Sequence, residues 1–217
     1  KSSVAEFYHQ ILSAHKIPVA SIGTLGIKTN NKVRRTNLTT LDSISLHREL
    51  TKIKKLGIDN VILEASSHGL EQGRLNGLNF KTGIFTNFSQ DHLDYHKNMK
   101  NYLNAKLILF SKLLKNKTHI VSDNEIPEYL KLKKIAKKNN LNLLSIGKKN
   151  STIQFNIVKP NDNSQSIIFR YNKKNYKVEI PLIGLFQVKN LFMSIIAAKL
   201  SGLDIKQILR TIEKIKE

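Results

Sequence analysis

The sequence predicts an α/β fold, a mostly parallel sheet flanked by helices, with a small antiparallel β region at about 150–181. Three observations carry that prediction. Short apolar runs such as Val61-Ile62-Leu63 and Gly83-Ile84-Phe85 alternate with longer stretches of helical apolar spacing, the order expected of βαβ units. After Gly147 the pattern changes to alternating apolar and polar residues around Asn- and Lys-rich turns, which reads as antiparallel hairpins. No repeat and no long linker divides the 217 residues, so they form one domain able to bury a real core.

In chain order, Val4, Phe7, Tyr8, Ile11 and Leu12 give a helix from Ser2 to about His15. Ile17 to Gly23 follows as a short strand, and Gly23 to Thr36, rich in Gly, Asn and Arg, reads as a loop. Asp42 or Ser43 can cap a helix that runs to about Leu56 and stops at Gly57. Asn60 to Ala65 and Lys81 to Asn87 are strands, and Met99 to Leu114 is a helix. Thr118 to Ser122 and Leu141 to Ile146 are strands around a Lys-rich helix at Leu130 to Lys138. Thr152 to Val158, Ser166 to Tyr171 and Tyr176 to Ile180 form the antiparallel region, and helices at about Val188 to Leu200 and Ile205 to Lys216 end the chain.

Composition removes several classes of function. Without cysteine there is no disulfide scaffold, no thiolate catalysis and no Cys-ligated metal. No apolar run approaches the ~20 residues of a membrane span, and no signal peptide is visible. The chain opens at Lys1, directly in an amphipathic pattern, and reads as a piece of a larger protein. A net charge of +20 invites a basic nucleic-acid-binding module as a competing class. The positive charge is mostly Lys, with only six Arg, and it lies on helical stretches where a solvated face accounts for it, so no nucleic-acid partner is expected.

The chemistry concentrates at two strand ends. Ligands in open α/β sheets bind at the carboxyl ends of strands. One strand delivers Glu64 and the next leads to Asp91-His92, so together they offer oxygen and nitrogen ligands. Glu64 is either a carboxylate turned to solvent or one with a partner or metal; His92 is either incidental beside a capping Asp or a ligand. Lys1-Ser2-Ser3 at a helix start is either a plain cap or the end of a phosphate-binding loop, whose Lys reaches phosphates and whose hydroxyl binds Mg²⁺. Lys106 lies on an apolar helix, either snorkelling or partly buried with a depressed pKa that permits carbamate formation. Ser66, His68, Gln72 and Arg74 supply donors for an anionic ligand, and Thr39 and Thr40 add hydroxyls before a helix. A Ser-His hydrolase fits poorly, because Ser66 lacks the nucleophile elbow and His68 is two residues away.

At these residues the chain resembles the Mur ligases of peptidoglycan synthesis. Glu64 to Arg74, Phe85 to His96, Ala105-Lys106 and Pro181 to Asn190 carry the likeness, which spans nearly the whole chain as the family's central ATPase domain. The form of the Glu64 to Arg74 stretch is most similar to the branch that adds the third amino acid of the peptide. The resemblance implies an ATP-dependent amide ligase joining meso-diaminopimelate or L-lysine to UDP-N-acetylmuramoyl-L-Ala-D-Glu through an acyl phosphate. It implies ATP, two Mg²⁺ ions and a carbamylated lysine as cofactors, a monomer, and a bacterial cytoplasmic location without membrane insertion. By the same resemblance Lys1, Ser2 and Ser3 serve the nucleotide, with Ser2 and Glu64 on the first Mg²⁺. His92 and Lys106, the latter as N6-carboxylysine, serve the second ion, and Lys1, His92 and Lys106 are the catalytic set. Thr39, Thr40, Ser66, Gln72 and Arg74 contact the UDP-muramoyl dipeptide, and Asn190 lies at the adenine side. Gln187 and Leu185 stand where the family usually has Asn and a basic residue. A sibling Mur ligase or a folylpolyglutamate synthase-like ligase is the alternative within the superfamily. The N-terminal uridine-binding domain and the C-terminal amino-acid-binding domain are expected to lie outside 1–217, which leaves the isolated chain inactive.

Overall fold

The computed structural model describes residues 1–29, 32–160 and 164–216, the side chains of 158–160 excepted. Helix α1 (Ser2–Ala14) buries Val4, Phe7, Tyr8, Ile11 and Leu12, the stripe its spacing dictates. It returns into strand β1 (Val19–Gly23), which pairs in parallel with β4 (Asn60–Leu63) through the register Val19↔Asn60 to Ile22↔Leu63. Between them lies α2 (Ser43–Lys55), capped by Asp42 and followed by Gly57 in the left-handed region at φ +74°.

The segment expected to be a loop after Gly23 is instead a pair of short strands. β2 (Gly26–Thr29) pairs antiparallel with β1, and β3 (Lys32–Arg34) pairs antiparallel with β2. These strands hold four and three residues, too few for a period-two pattern to stand out against their polar composition. Gly26 makes the turn possible: its φ is +96°, and a Cβ there would lie 2.3 Å from the Arg34 carbonyl oxygen.

The second sheet has the order β10-β9-β8-β7-β6-β5. β5 (Phe80–Phe85), β6 (Leu114–Asp123), β7 (Asn142–Gly147) and β8 (Ile153–Pro160) run parallel. β9 (Gln165–Tyr171) and β10 (Lys174–Ile180) close it in antiparallel fashion. The antiparallel region is therefore continuous with the main sheet, joined through Ile146↔Ile153 and Gly147↔Gln154. β6 begins four residues before the expected Thr118, because exposed Lys115, Asn116 and Lys117 hide the start of the strand. The helix before it, α5 (Met99–Ile108), ends in a π-helical turn over Leu109–Leu113 rather than continuing as α-helix to Leu114.

Helices cover both faces. Two apolar clusters mark the two layers: α1, α7 (Leu185–Leu200) and α8 (Ile205–Ile212) pack with Val121 and Ile146 on one side. α2, α5 and α6 (Tyr129–Lys138) pack with Ile22 and Ile120 on the other. Adjacent Ile120 and Val121 thus point to opposite layers, as the pleat requires. β4 and β5 face one another across a cleft of about 710 Å³, and among the described residues neither strand has a partner on that side. Among the described residues no helix is long and apolar enough to cross a membrane.

Candidate active site

Glu64 follows β4 and is 5% exposed, so its carboxylate is turned into the protein. Its backbone N–H donates to the Ile22 carbonyl at 2.8 Å, which ties the strand end to β1. The Ser2 hydroxyl donates to Oε2 at 3.0 Å, the Thr24 N–H to Oε1 at 2.9 Å, and the Thr24 hydroxyl to Oε2 at 3.3 Å. A buried carboxylate needs such donors to offset its lost hydration. Gly23 leaves it room: a Cβ there would sit 2.2 Å from Oε1. Ser2 is the first residue of α1, so a helix N-terminus also points at this charge. Ser3, half-buried on the same turn, adds nothing to the Glu64 contacts.

The five residues expected to meet the dipeptide substrate form one network continuous with Glu64. The Thr40 hydroxyl donates to the Glu64 carbonyl at 2.8 Å and accepts from the Ser66 N–H at 2.9 Å. Ser66 caps α3 (Ser67–Glu71) by accepting from the Gly69 N–H at 3.1 Å. Arg74 donates to the Thr40 carbonyl at 2.7 Å and, through Nε and Nη2, to Gln72 Oε1. Gln72 in turn donates to the Tyr95 hydroxyl at 3.2 Å, and the Thr39 and Thr24 hydroxyls lie 3.2 Å apart. The result is a polar shelf, held from beneath, with exposed Gln72 and half-buried Arg74 at its surface.

Lys106 lines the same cleft as Lys1 and Glu64. Burial, aided by the positive charge of Lys1, lowers its amine from 10.5 to about 8, against a smaller opposing pull from Asp91. Its Nζ stands 4.8 Å from the centre of the Tyr102 ring. His92 is one ring away, edge-on to Tyr102 at 5.7 Å, and precedes α4 (Leu93–His96) in the left-handed region at φ 54°. Asp91 holds it there by accepting from the His92 N–H at 2.8 Å, and its other oxygen lies 3.4 Å from His92 Nε2. Among the described residues no three acids or histidines stand close enough to form a ready-made metal cluster. The oxygen donors of Glu64 and Ser2 nevertheless suit a hard cation such as Mg²⁺, which keeps several waters.

Asn190 lies apart from this network. It is buried on α7, donating to Gln187 Oε1 at 3.1 Å. Its neighbour Lys189 reaches Asp123 at 2.5 Å and Glu125 at 3.2 Å, which fastens α7 to the carboxyl end of β6. Burial pulls the Lys189 amine down, but the two carboxylates outweigh it and hold the amine above its ordinary value. Sequence reasoning missed Thr24 and Tyr102. Thr24 directly follows a strand end, and Tyr102 lies four residues before Lys106 on one helix face, so both carried a positional signal.

A family model described as the Mur ligase middle domain matches residues 1–198. The UDP-N-acetylmuramoyl-L-alanyl-D-glutamate–2,6-diaminopimelate ligase of Rickettsia bellii (strain RML369-C) is 36% identical over 220 residues, covering 100% of this chain and 46% of the relative. The protein of the same description from Bradyrhizobium diazoefficiens is 34% identical, covering 100% of this chain and 45% of the relative. The chain thus spans a little under half the length of the curated relatives it matches. A solved UDP-N-acetylmuramoyl-L-alanyl-D-glutamate–2,6-diaminopimelate ligase structure superposes with a TM-score of 0.90 at 29% identity, over 100% of this chain and 44% of the other. The folylpolyglutamate synthase of Thermotoga maritima, at TM-score 0.70 and 15% identity over 100% of this chain and 56% of the other, shares the fold.

Proposed function

The chain belongs to the Mur ligase family through its middle domain, and on that premise we propose that it is the ATP-binding core of a ligase that adds a diamino acid to UDP-N-acetylmuramoyl-L-Ala-D-Glu. The observation that carries this reading is the buried Glu64 carboxylate, reached by Ser2 and sharing one cleft with Lys1 and Lys106. The names of the similar ligases favour 2,6-diaminopimelate as the incoming amino acid over L-lysine.

The reaction must bring a triphosphate and a substrate carboxylate together, and their repulsion has to be offset before in-line transfer of the γ-phosphate can give an acyl phosphate. Lys1 supplies a cation at the N-terminus of α1, where anions are favoured. Ser2 and Glu64 would hold one Mg²⁺, with His92 and Lys106 serving a second, and these ions would neutralise charge on the phosphates. Lys106 contributes differently from an ordinary lysine. An amine with a pKa of about 8 is partly neutral near pH 7.5, so it can take up CO₂ as a carbamate and offer oxygens to a cation. Thr39, Thr40, Ser66, Gln72 and Arg74 hold the dipeptide end of the nucleotide substrate, where the Arg74 fork suits a carboxylate. Asn190 serves the nucleotide from α7, and Ser3 supports the phosphate side of α1. The enzyme acts as a monomer in the bacterial cytoplasm, with flanking domains that bind the uridine and the amino acid.

The test uses the whole protein with ATP, Mg²⁺, UDP-N-acetylmuramoyl-L-Ala-D-Glu and each diamino acid. Phosphate release that depends on both the dipeptide and 2,6-diaminopimelate is expected, and Lys106→Ala should abolish it with partial rescue by a small carboxylate. Turnover that needs a folate or a different muramoyl peptide, or full activity of unrescued Lys106→Ala, would overturn the assignment. The chain 1–217 alone should form no detectable amide.

A further inference from the structure

The Glu64 network accounts for the shelf that faces the substrate, but not for a second, buried assembly behind it. His96 is fully enclosed, with no side-chain exposure, and its Nε2 lies 2.9 Å from the Ser67 hydroxyl. Ser67 is itself 3% exposed and opens α3, one residue after the Ser66 cap. A face of the His96 ring stacks on Tyr102, centroids 5.1 Å apart and planes at 25°. Tyr102 then touches His92 edge-on and carries the Lys106 amine over its face. The Asn101 side chain donates to the His96 carbonyl at 3.2 Å, which fixes α4 to the first turn of α5. Glu71 Oε2 stands 3.3 Å from Nδ1, but Nδ1 makes no aligned hydrogen bond, so Ser67 is the directional partner of the ring.

We propose that His96 is a positioning residue, which through its Ser67 hydrogen bond and Tyr102 stack sets α3 in register with His92 and Lys106. The inference rests on the ligase reading above. Ser66, Gln72 and Arg74 ride on α3 and its exit, whereas Lys106 and Tyr102 ride on α5. The His96 ring is the buried polar link between the two. A hydrogen bond is directional where apolar packing is not, so this pair constrains where the shelf sits relative to α5. Misplacement of reacting groups by about 1 Å can cost on the order of 10²-fold in rate. A simpler reading is that His96 and Ser67 merely satisfy one another in a closed interior. That reading predicts lost stability without a selective kinetic change.

The whole protein carrying Ser67→Ala separates the two, because removing one oxygen leaves the packing in place. His96→Ala and His96→Gln complete the set, since the Gln amide reaches about as far from Cβ as imidazole Nε2. Kinetics are measured per folded enzyme, with ATP and the nucleotide dipeptide varied in turn. Ser67→Ala and His96→Ala should lower kcat/KM for the nucleotide dipeptide by roughly tenfold or more, leave the KM for ATP within about twofold, and be partly restored in His96→Gln. If wild type ligates and Ser67→Ala changes only the melting temperature, or if both substrates are affected equally, the positioning role is wrong. If wild type does not ligate the dipeptide, the functional reading fails first, and the two failures are distinct.

Discussion

Lys106 pays the cost of burial whenever its amine is charged, and that cost has a pH signature. Its folded pKa, about 8, lies below the unfolded value of 10.5, so between those values the unfolded chain binds more protons than the folded one. Stability therefore rises as pH increases through that window, and below about pH 8 the penalty is fully present. Lys106→Met removes the titrating group while keeping the stem that packs beside Tyr102. Denaturant midpoints should place Lys106→Met above wild type at pH 7, with the gap closing by pH 10.5; a gap that widens with pH would contradict the assignment. At this scale the sequence offers candidates by their chemistry. Glu64, His92 and Lys106 stand out because charged or metal-ligating side chains sit where apolar ones are expected. Thr24 and Tyr102 carried only a positional signal, since a threonine in a turn and a tyrosine in a helix show no chemical anomaly until the fold sets them against Glu64 and Lys106.

Elements with long apolar periods could be read directly, and those without them could not. α1 and α2 follow from 3.6-residue spacing and α7 from a long, nearly continuous apolar run that is buried on all sides, and the cap at Asp42 with its stop at Gly57 fixed both ends of α2. The β2–β3 pair and the first residues of β6 escaped because their side chains are polar and their lengths short. The last helix is the clearest test of local chemistry. α8 starts with a capping box, in which the Asp204 side chain accepts from the Gln207 backbone N–H and Gln207 Oε1 accepts from the Asp204 N–H at 2.8 Å; Asp204 also accepts from the Lys206 N–H at 3.1 Å. Its apolar side, Ile205, Ile208 and Ile212, packs into the layer shared with α1 and α7. Asp204→Ala should cost about 1 kcal/mol, and calorimetry should find the melting temperature lowered by roughly 2–4 °C. An unchanged melting temperature would mean that packing alone holds the helix.

At the scale of the molecule, the predicted arrangement of a mostly parallel sheet between helices holds, and the antiparallel strands extend it instead of standing beside it. One feature could not be read from strand patterns alone: the sheet comes in two pieces. Val61, Ile62 and Leu63 remain half-exposed, although strands this apolar are normally closed off on every side. Their open backbone edge and that of β5 look at each other, with Lys1 at the rim. Left unfilled, the seam is a template for any extended peptide, including one from another copy of the chain. An extended segment seated there would zip two half-sheets into one beside Lys1. Residues 1–217 should therefore self-associate as concentration rises, as read by scattering; scattering that does not change with concentration would contradict an open seam. Closing the seam and walling the cleft beside Glu64 would then be a single event.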